Sequence, residues 1–209
     1  LTYNHLINCA GLQADKVAQK FNVGNFYTML PFKGSYWQFK KDVPFKFTTN
    51  LYPVPDLEIP FLGVHVTPSI DGVTYLGPTA VPAMGRENYK GMKGADPILI
   101  LNFIRHMATQ VARDKKMRNY VKNQAFDWTP KFFLNAAKLI IPKVEMNHIE
   151  RSNKVGIRPQ LYDLKKKELV QDFVMLDGPN STHVVNAISP AFTASFELAD
   201  HILKYIKLR

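Results

Sequence analysis

Two strand-to-helix units, one at each end of the chain, constrain the fold more than any other feature of the sequence. Near the start, the apolar run Leu6 to Ala10 is followed by Gly11 and a helical pattern from Gln13 to Phe21. Near the end, His183 to Ala187 has the pattern of a strand and leads through Ser189-Pro190 into a last helix. Strands that alternate with helices are typical of a parallel α/β sheet. We therefore expect the two ends to lie together in one domain.

The first strand begins within a few residues of Leu1. A buried parallel strand needs neighbours on both sides, so we expect this sequence to be a fragment of a longer protein. The last helix carries an apolar stripe, which is expected to face the core and consists of Phe192, Phe196, Ala199, Ile202 and Ile206.

The middle of the sequence has the pattern of short strands separated by turns. Aromatic and β-branched residues predict five of them, at Phe26 to Pro31, Gly34 to Phe39, Phe45 to Tyr52, Phe61 to Thr67 and Val73 to Leu76. Asp71-Gly72 predicts a hairpin turn before the last of these. The pattern indicates an antiparallel or mixed sheet.

Helices follow the sheet. Asp96-Pro97 begins a helical pattern that continues with interruptions to about Gln124, with one apolar stripe formed by Ile98, Leu101, Ile104 and Met107. Thr129 and Pro130 begin a further helix that ends at Ile141. Two extended segments, Val155 to Leu161 and Leu169 to Leu176, lead back towards the end unit.

These elements predict an α/β (α+β) protein, in which the chain leaves a nucleotide-binding domain, builds a second domain and returns. We place a partial nucleotide-binding domain at residues 1–24. A substrate-binding domain of sheet and basic helices follows at residues 25–150. Residues 151–209 return to the first domain.

The net charge of +10 allows three kinds of partner: nucleic acid, an anionic membrane surface or an acidic ligand. Much of the charge lies between residues 105 and 122, in the predicted helices. No recognised nucleic-acid motif accompanies it, so peripheral contact with a membrane is favoured over nucleic-acid binding.

Cysteine and histidine usage excludes some classes of site. The single cysteine, Cys9, excludes an intrachain disulfide and a cysteine-rich zinc site, and it is consistent with a reducing compartment. The histidines lack the spacing of metal ligands, so no metal site is predicted. We expect a cytoplasmic protein, peripheral at the inner face of the membrane.

In the stretch Gly156-Ile157-Arg158-Pro159, an arginine follows a glycine and an isoleucine and precedes a proline. Arginine keeps its charge, and its planar guanidinium matches a carboxylate with two parallel hydrogen bonds. Arg158 is therefore the first candidate for binding an acid substrate. The alternative is an exposed loop arginine.

Three stretches occur in the order found in the FAD-dependent oxidoreductases of the D-amino-acid oxidase and glycine oxidase type, and resemble them: Ile7-Asn8-Cys9-Ala10-Gly11-Leu12, Gly156-Ile157-Arg158-Pro159 and Asn186-Ala187-Ile188-Ser189-Pro190-Ala191-Phe192-Thr193. Another set is similar to the L-2-hydroxyglutarate oxidase or dehydrogenase branch: Pro31 to Tyr36, Tyr52 to Asp56, Phe61 to His65, Leu76 to Ala80 and Val170 to Phe173. The glycine-rich first strand of the family, G-x-G-x-x-G, is absent. Because that turn cradles the pyrophosphate, these residues alone are not expected to hold FAD tightly.

The resemblance implies oxidation of L-2-hydroxyglutarate, or a similar 2-hydroxy acid, to the 2-oxo acid by hydride transfer to FAD. It makes Arg158 the carboxylate ligand. His65 is the candidate proton acceptor, with a core histidine as the alternative. The pocket wall and the site of the distal carboxylate have four candidates, Lys33, Tyr36, Tyr52 and Thr79.

The resemblance also implies a cofactor site. Ala10, Gly11 and Asp15 are expected along its nucleotide side, with Gly156 as a further contact. The loop at the start of the last helix is expected at the flavin's pyrimidine edge, where negative charge grows on reduction, and consists of Ile188, Ser189, Pro190, Ala191, Phe192 and Thr193. Ala191 stands where many relatives have glycine.

Two alternatives remain open. One is an amine or amino-acid oxidase of the same family, and the other is a basic module that binds nucleic acid or membrane without catalysis.

Overall fold

The computed structural model describes residues 2–54, 63–124 and 129–207. In chain order its helices and strands are β1 (Leu6–Asn8), α1 (Ala14–Gln19), β2 (Tyr27–Phe39), β3 (His65–Pro68), β4 (Thr74–Gly77), β5 (Val81–Pro82), α2 (Pro97–Arg113), α3 (Lys115–Gln124), α4 (Pro130–Ile140), β6 (Ile149–Asp163), β7 (Glu168–Leu169), β8 (Val174–Gly178), β9 (Ser181–Asn186) and α5 (Ser195–Lys207).

The chain divides into two compact units. Unit 1 consists of residues 1–30 and 159–209, so it contains both ends of the chain, and unit 2 consists of residues 31–158. The limits of the units fall inside β2 and β6. Both limits lie later in the sequence than the predicted ones, 24/25 and 150/151, and each falls within a single long strand.

Unit 1 contains a three-stranded sheet with the order β1-β9-β8. β1 pairs with β9 in parallel, as predicted for the end units, and β9 pairs with β8 in an antiparallel hairpin. The predicted helix from Gln13 to Phe21 is shorter: a 3-10 turn at Gly11–Gln13 precedes α1. Gly11 has φ +53°, a conformation that glycine adopts without strain, and this turns the chain out of the strand.

The predicted strand from Leu169 to Leu176 is wrong as a single element, because it forms the separate strands β7 and β8. Between β7 and β8, side chains hydrogen-bond to the backbone. The Phe173 backbone amide donates to the Asp172 carboxylate at 2.7 Å, and the Asn186 side-chain amide donates to the Asp172 carbonyl at 2.6 Å. These hydrogen bonds replace ladder bonds and interrupt the strand.

In unit 2 the strand order is β3-β4-β2-β6, with β5 pairing to β2. The sequence predicts two strands where the single long strand β2 is found. The reason is β5: Phe32 lies opposite Pro82 and Lys33 opposite Val81, so the gap between the predicted strands has its own ladder partner.

One face of this sheet forms the core of unit 2. Trp37 and Phe39 of β2 pack with Val66 and Leu76 from the neighbouring strands and with Phe133 of α4. The Trp37 and Phe133 rings lie 5.7 Å apart. Burying a side chain such as that of Phe133 contributes about 1.5–3 kcal/mol, so this face holds α4 against the sheet.

The start of α4 confirms the prediction from sequence. The Thr129 hydroxyl accepts a hydrogen bond from the Phe132 amide at 3.2 Å, and Pro130 occupies the first turn, where its missing N–H is not needed.

The predicted strand from Phe45 to Tyr52 is wrong. Only Leu51 makes a bridge, to Val66, and the rest of the segment is irregular. Phe45 and Phe47 instead place their rings 6.2 and 4.7 Å from the ring of Phe39. Their apolar character therefore reflects side-chain packing rather than a ladder. Of the strand predicted at Phe61 to Thr67, residues 65–67 belong to β3, residues 63–64 precede it without strand structure, and residues 61–62 lie outside the described residues.

Helix α2 begins at an Asp96 cap, whose carboxylate accepts from the Ile98 and Leu99 amides at 3.0 and 3.1 Å. Leu99 and Phe103 are its buried apolar residues. The predicted stripe lies mainly on the other side: Ile98, Leu101 and Ile104 are 74%, 67% and 60% exposed. Within the described residues, no helix combines the length and the apolar character needed to cross a membrane.

Helix α5 also differs from its prediction. It begins at Ser195 rather than after Pro190, and the stripe expected in the core is wrong for most of its members. Phe192 and Phe196 are 93% and 91% exposed, whereas Ile202 is buried. Helical spacing identifies residues that share a face, but it does not identify what covers that face.

A fully buried histidine links the two ends of the chain within unit 1. His183 of β9 lies opposite Asn8 of β1, whose side-chain amide donates to His183 Nδ1 at 3.0 Å. His183 Nε2 lies 3.0 Å from the Ser181 hydroxyl. Burial, followed by the nearby charge of His5, lowers the pKa of His183. The hydrogen bonds of His183 to Asn8 and Ser181 therefore fit the neutral imidazole.

The lowered pKa of His183 predicts loss of stability in mild acid. The unfolded chain binds the proton near pH 6.5 whereas the folded chain resists it, so the stabilisation is fully present above about pH 6.5 and is lost as pH falls towards the lower folded pKa. Replacing His183 by Asn should cost about 1–3 kcal/mol at pH 7.5 through lost buried hydrogen bonds and should flatten the dependence on pH.

Thermal unfolding at pH 5.5, 6.5 and 7.5 measures both effects. His65 and His106 also have lowered pKa values. The difference in slope between the wild type and His183→Asn is therefore the informative quantity, and parallel slopes would contradict the assignment to His183.

Candidate functional site

A cavity of about 220 Å³ lies on the face of the unit 2 sheet opposite the aromatic core. Three segments line it: β2 and β6 from the sheet, and the segment that follows β4. The lining residues are Phe32, Gly34, Tyr36, Pro78, Thr79, Ala80, Gly156, Ile157 and Arg158.

The pleat of β2 determines which of its residues reach this cavity. Side chains alternate between the two faces of a strand, so Phe32, Gly34 and Tyr36 share the cavity face while Trp37 and Phe39 share the core face. This alternation was visible in the sequence and could have identified Phe32 as a lining residue.

Gly34 allows the segment after β4 to approach the strand closely. A Cβ at Gly34 would lie 2.7 Å from Pro78 Cβ. The Ser35 amide donates to the Thr79 hydroxyl at 3.0 Å, and the Thr79 amide donates to the Ser35 carbonyl at 3.1 Å. These bonds fix the buried Thr79 at the cavity wall.

Arg158 lies at the end of unit 2, is half-buried and contributes a permanent positive charge to the cavity lining. Tyr36 contributes a phenol whose pKa is raised by burial, so it is a neutral hydrogen-bond donor at pH 7. Of the predicted substrate residues, the structure thus brings together Arg158, Tyr36 and Thr79.

His65 lies on the same face of the sheet but outside the lining of the cavity. It pairs with Gly77 across β3 and β4, and a Cβ at Gly77 would lie 2.8 Å from the Tyr36 ring. Directly opposed residues of an antiparallel pair share a face. His65 is therefore separated from Tyr36 by one strand.

The tautomer and the lowered pKa of His65 suit a proton acceptor. Because the Gly63 carbonyl can only accept, the contact of 3.1 Å from His65 Nδ1 places the proton on that nitrogen and leaves Nε2 as an acceptor. Burial is the larger effect and lowers the pKa of His65, while the hydrogen bond to Gly63 raises it. The ring lies 4.8 Å from that of Tyr52, which is half-exposed and does not line the cavity.

Lys33 also lies outside the cavity lining. Its position between Phe32 and Gly34 directs it to the opposite face, where its ammonium donates to the Asn88 side chain at 2.7 Å. Burial lowers the pKa of Lys33. The buried Asn88 in turn donates to the Gly91 and Lys93 carbonyls, so Lys33 helps to organise the loop before α2.

A second concavity, of about 500 Å³, is formed in unit 1 by the loop that precedes α5. Its lining includes all six residues predicted for the flavin edge, namely Ile188, Ser189, Pro190, Ala191, Phe192 and Thr193. The loop is turned back on itself, since the Ala191 amide donates to the Ile188 carbonyl at 2.8 Å and the Thr193 hydroxyl donates to the Pro190 carbonyl at 3.0 Å.

The remaining predicted cofactor residues are divided between exposed and structural positions. Ala10 and Gly11 are exposed at the end of β1. Asp15 is buried, and its carboxylate accepts from the Met29 and Lys16 amides at 2.9 and 2.8 Å. The contacts of Asp15 therefore join α1 to β2. Gly156 is exposed in the wall of the first cavity.

Two features of unit 1 leave room for a bound dinucleotide and offer it a polar group. Among the described residues, no atom lies within 4 Å of the position that a Cβ would occupy at the exposed Gly11, so a ligand can approach that backbone closely. Just before the loop, the buried Asn186 has a side-chain oxygen, Oδ1, without a hydrogen-bond donor among the described residues.

Comparison with known proteins identifies the family. Residues 1–204 match the family model described as FAD dependent oxidoreductase, DAO. This chain belongs to that family. Its cofactor, FAD, is the one predicted from the sequence, and the mixed α/β fold class is confirmed.

Several relatives carry the same name. The chain is 33% identical over 209 residues to an L-2-hydroxyglutarate dehydrogenase of Indibacter alkaliphilus, with 97% of this chain and 50% of the relative covered. It is 34% identical over 203 residues to the mitochondrial enzyme of Caenorhabditis elegans (95% and 46% covered) and 32% identical over 221 residues to that of Homo sapiens (98% and 45%). The chain spans about half the length of these relatives.

A solved structure shares the fold. L-alpha-glycerophosphate oxidase from Mycoplasma pneumoniae, with FAD bound, matches with a TM-score of 0.53 and 18% sequence identity, and the match covers 91% of this chain and 39% of that one.

Proposed function

We propose that this chain forms the substrate-binding part of an enzyme that oxidises L-2-hydroxyglutarate to 2-oxoglutarate with FAD. The observation that carries the proposal is the cavity lined by Arg158, in a chain whose relatives are L-2-hydroxyglutarate dehydrogenases. Apolar walls with a fixed cation are what a small organic acid requires.

In this proposal Arg158 binds the carboxylate next to the reacting carbon. Its guanidinium donates two parallel hydrogen bonds, which fix the orientation of the acid as well as its position. Phe32 and Ile157 provide apolar surface beside it, and Tyr36 provides a hydroxyl donor.

His65 accepts the hydroxyl proton. Oxidation removes the C2 hydrogen with its electron pair and the proton of the hydroxyl group, so that the C2–O bond becomes a carbonyl. Nε2 of neutral His65 takes the proton, while Gly63 holds the other ring nitrogen. FAD, when bound, supplies the acceptor for the hydride.

A peripheral membrane contact is proposed for α2. Its exposed Ile98, Leu101 and Ile104 lie in a region with the exposed cations Arg105 and Arg113. An apolar stripe with neighbouring basic residues fits an anionic bilayer surface, from which a quinone could accept the electrons. The cytoplasmic side of the membrane is the proposed location.

The proposed reaction is tested with the FAD-loaded enzyme under anaerobic conditions. Adding L-2-hydroxyglutarate should bleach the flavin absorbance and yield one 2-oxoglutarate per flavin, whereas L-glutamate should leave the flavin oxidised. Bleaching by the amino acid instead would replace this function with that of an amino-acid oxidase.

Replacing Arg158 by Lys keeps the charge but removes the paired donors, so KM for L-2-hydroxyglutarate should rise roughly 10- to 100-fold with normal FAD content. Steady-state kinetics measures this. Arg151→Lys is the matched control, since Arg151 lies on the same strand with its guanidinium 6.0 Å from the Trp37 ring. An unchanged KM in Arg158→Lys would exclude Arg158 from the site.

Replacing His65 by Asn should lower kcat by roughly 10²- to 10⁴-fold, the usual contribution of a general base. In the wild type, kcat/KM should fall in acid as His65 becomes protonated, at a pH below the ordinary histidine range because burial lowers the pKa of His65, and this limb should vanish in the variant. Tyr52→Phe retains the ring beside His65 and should keep near-normal turnover. If His65→Asn also turned over normally, another group would be the base.

The membrane proposal predicts that the enzyme sediments with liposomes containing anionic lipid at low salt. Changing Ile98, Leu101 and Ile104 together to Ser should abolish this binding, while Leu139→Ser, at an 82% exposed position of α4, should not. Binding that is equal in both variants would contradict a role for α2.

A further inference from the structure

A lysine ammonium is held over two aromatic rings beside the cavity. Lys154 Nζ lies 4.0 Å from the centre of the Tyr75 ring and 5.2 Å from that of Tyr36, and the two rings meet edge to face at 6.3 Å. The negative faces of aromatic rings attract a cation and so limit where it can lie. Tyr36 lines the cavity, so the ammonium lies beside a ring of the cavity wall, although Lys154 itself is not one of the lining residues.

Lys154 and Arg158 also lie on the same face of β6. Residues two and four apart along a strand point to one side, which places Lys154, Gly156 and Arg158 in a row. The Cα atoms of the two basic residues are about 13 Å apart along the strand. Between them, Gly156 has no side chain, and no atom of the described part of the chain lies within 4 Å of where its Cβ would be.

We propose that Lys154 binds the second carboxylate of a dicarboxylic substrate, so that Arg158 and Lys154 together select a five-carbon diacid. This inference rests on the proposed function, since it concerns the far end of the same substrate. Both side chains are long and lie on one face with open space at Gly156 between them, so together they can reach the two ends of one diacid, whereas a single arginine would not distinguish a diacid from a monoacid.

The other basic candidate for this end is engaged elsewhere. Lys33 was expected from the sequence as a distal carboxylate ligand, but its ammonium donates to Asn88 on the opposite face of β2. Lys154 faces the cavity side, and its ammonium keeps all three donors when it lies over an aromatic ring.

The experiment measures binding of two inert acids to the FAD-loaded enzyme by the change they cause in flavin absorbance. Glutarate carries both carboxylates, and pentanoate has a methyl group in place of the second. Lys154→Met retains the length of the side chain without its charge, and Lys154→Arg retains the charge. Lys165→Met is the control, because Lys165 makes a similar contact, 4.2 Å from the Phe26 ring, in unit 1.

In Lys154→Met the Kd for glutarate should rise tenfold or more, with the Kd for pentanoate unchanged, since one charge-assisted hydrogen bond is lost. Lys154→Arg should restore most of the preference for glutarate, and Lys165→Met should bind both acids like the wild type. Equal weakening of both acids in Lys154→Met would indicate a purely structural contact with the rings and overturn the proposal, as would no weakening at all.

Oxidation assays separate this proposal from the one on which it rests. With L-2-hydroxyglutarate and L-2-hydroxypentanoate as substrates, Lys154→Met should raise KM for the first alone and leave kcat within about twofold. If the wild type oxidised neither acid but still preferred glutarate in the binding experiment, the proposed reaction would be wrong and the role of Lys154 would stand.

Discussion

The pleat of strand β2 is the constraint on which the rest of unit 2 depends. One set of alternating side chains, which includes Trp37 and Phe39, enters the aromatic core against α4. The other set, which includes Phe32 and Tyr36, lines the cavity. Because the period of a strand is two, a register slip of one residue would move polar groups into the core and fill the cavity with core residues. The register of β2 therefore determines both the packing of the core and the shape of the cavity.

The chemistry of the sheet face follows from where charge is buried and where it is not. Arg158 cannot lose its charge, and Lys154 keeps an exposed ammonium over two rings. His65 is the contrasting group. Burial lowers its pKa, and the Gly63 carbonyl accepts from Nδ1, so that Nε2 is the nitrogen that can accept a proton. A face with the cations Arg158 and Lys154 and a neutral imidazole can bind an acid anion and still accept a proton from it.

Sequence patterns predicted the parts of the fold that depend on neighbours along the chain. The cap at Thr129 is the clearest case, since a hydroxyl three residues before an amide is a local arrangement. The wrong predictions concern which other part of the protein packs against or pairs with an element. Phe192 and Phe196 have helical spacing yet are exposed, and Phe45 to Tyr52 has the composition of a strand yet pairs only at Leu51. Composition and periodicity do not specify the partner.

The site was predictable to a similar extent. The family resemblance singled out Arg158, Tyr36 and Thr79, which the structure gathers around one cavity. It could not separate Lys33 from its neighbours, because the face on which a strand residue lies depends on which face is covered. It also did not single out Lys154, whose rings come from two other strands.

Residue types and their local spacing were enough to predict the order of the elements, the two strand-to-helix ends, the fixed cation at Arg158 and the family. The folded chain was needed to see that Gly34 lets Pro78 close the cavity, that Gly156 leaves open space beside Arg158, and that Lys33 and Lys154 lie on different faces of the sheet. Each of these depends on contacts between strands far apart in the chain, which no local pattern encodes.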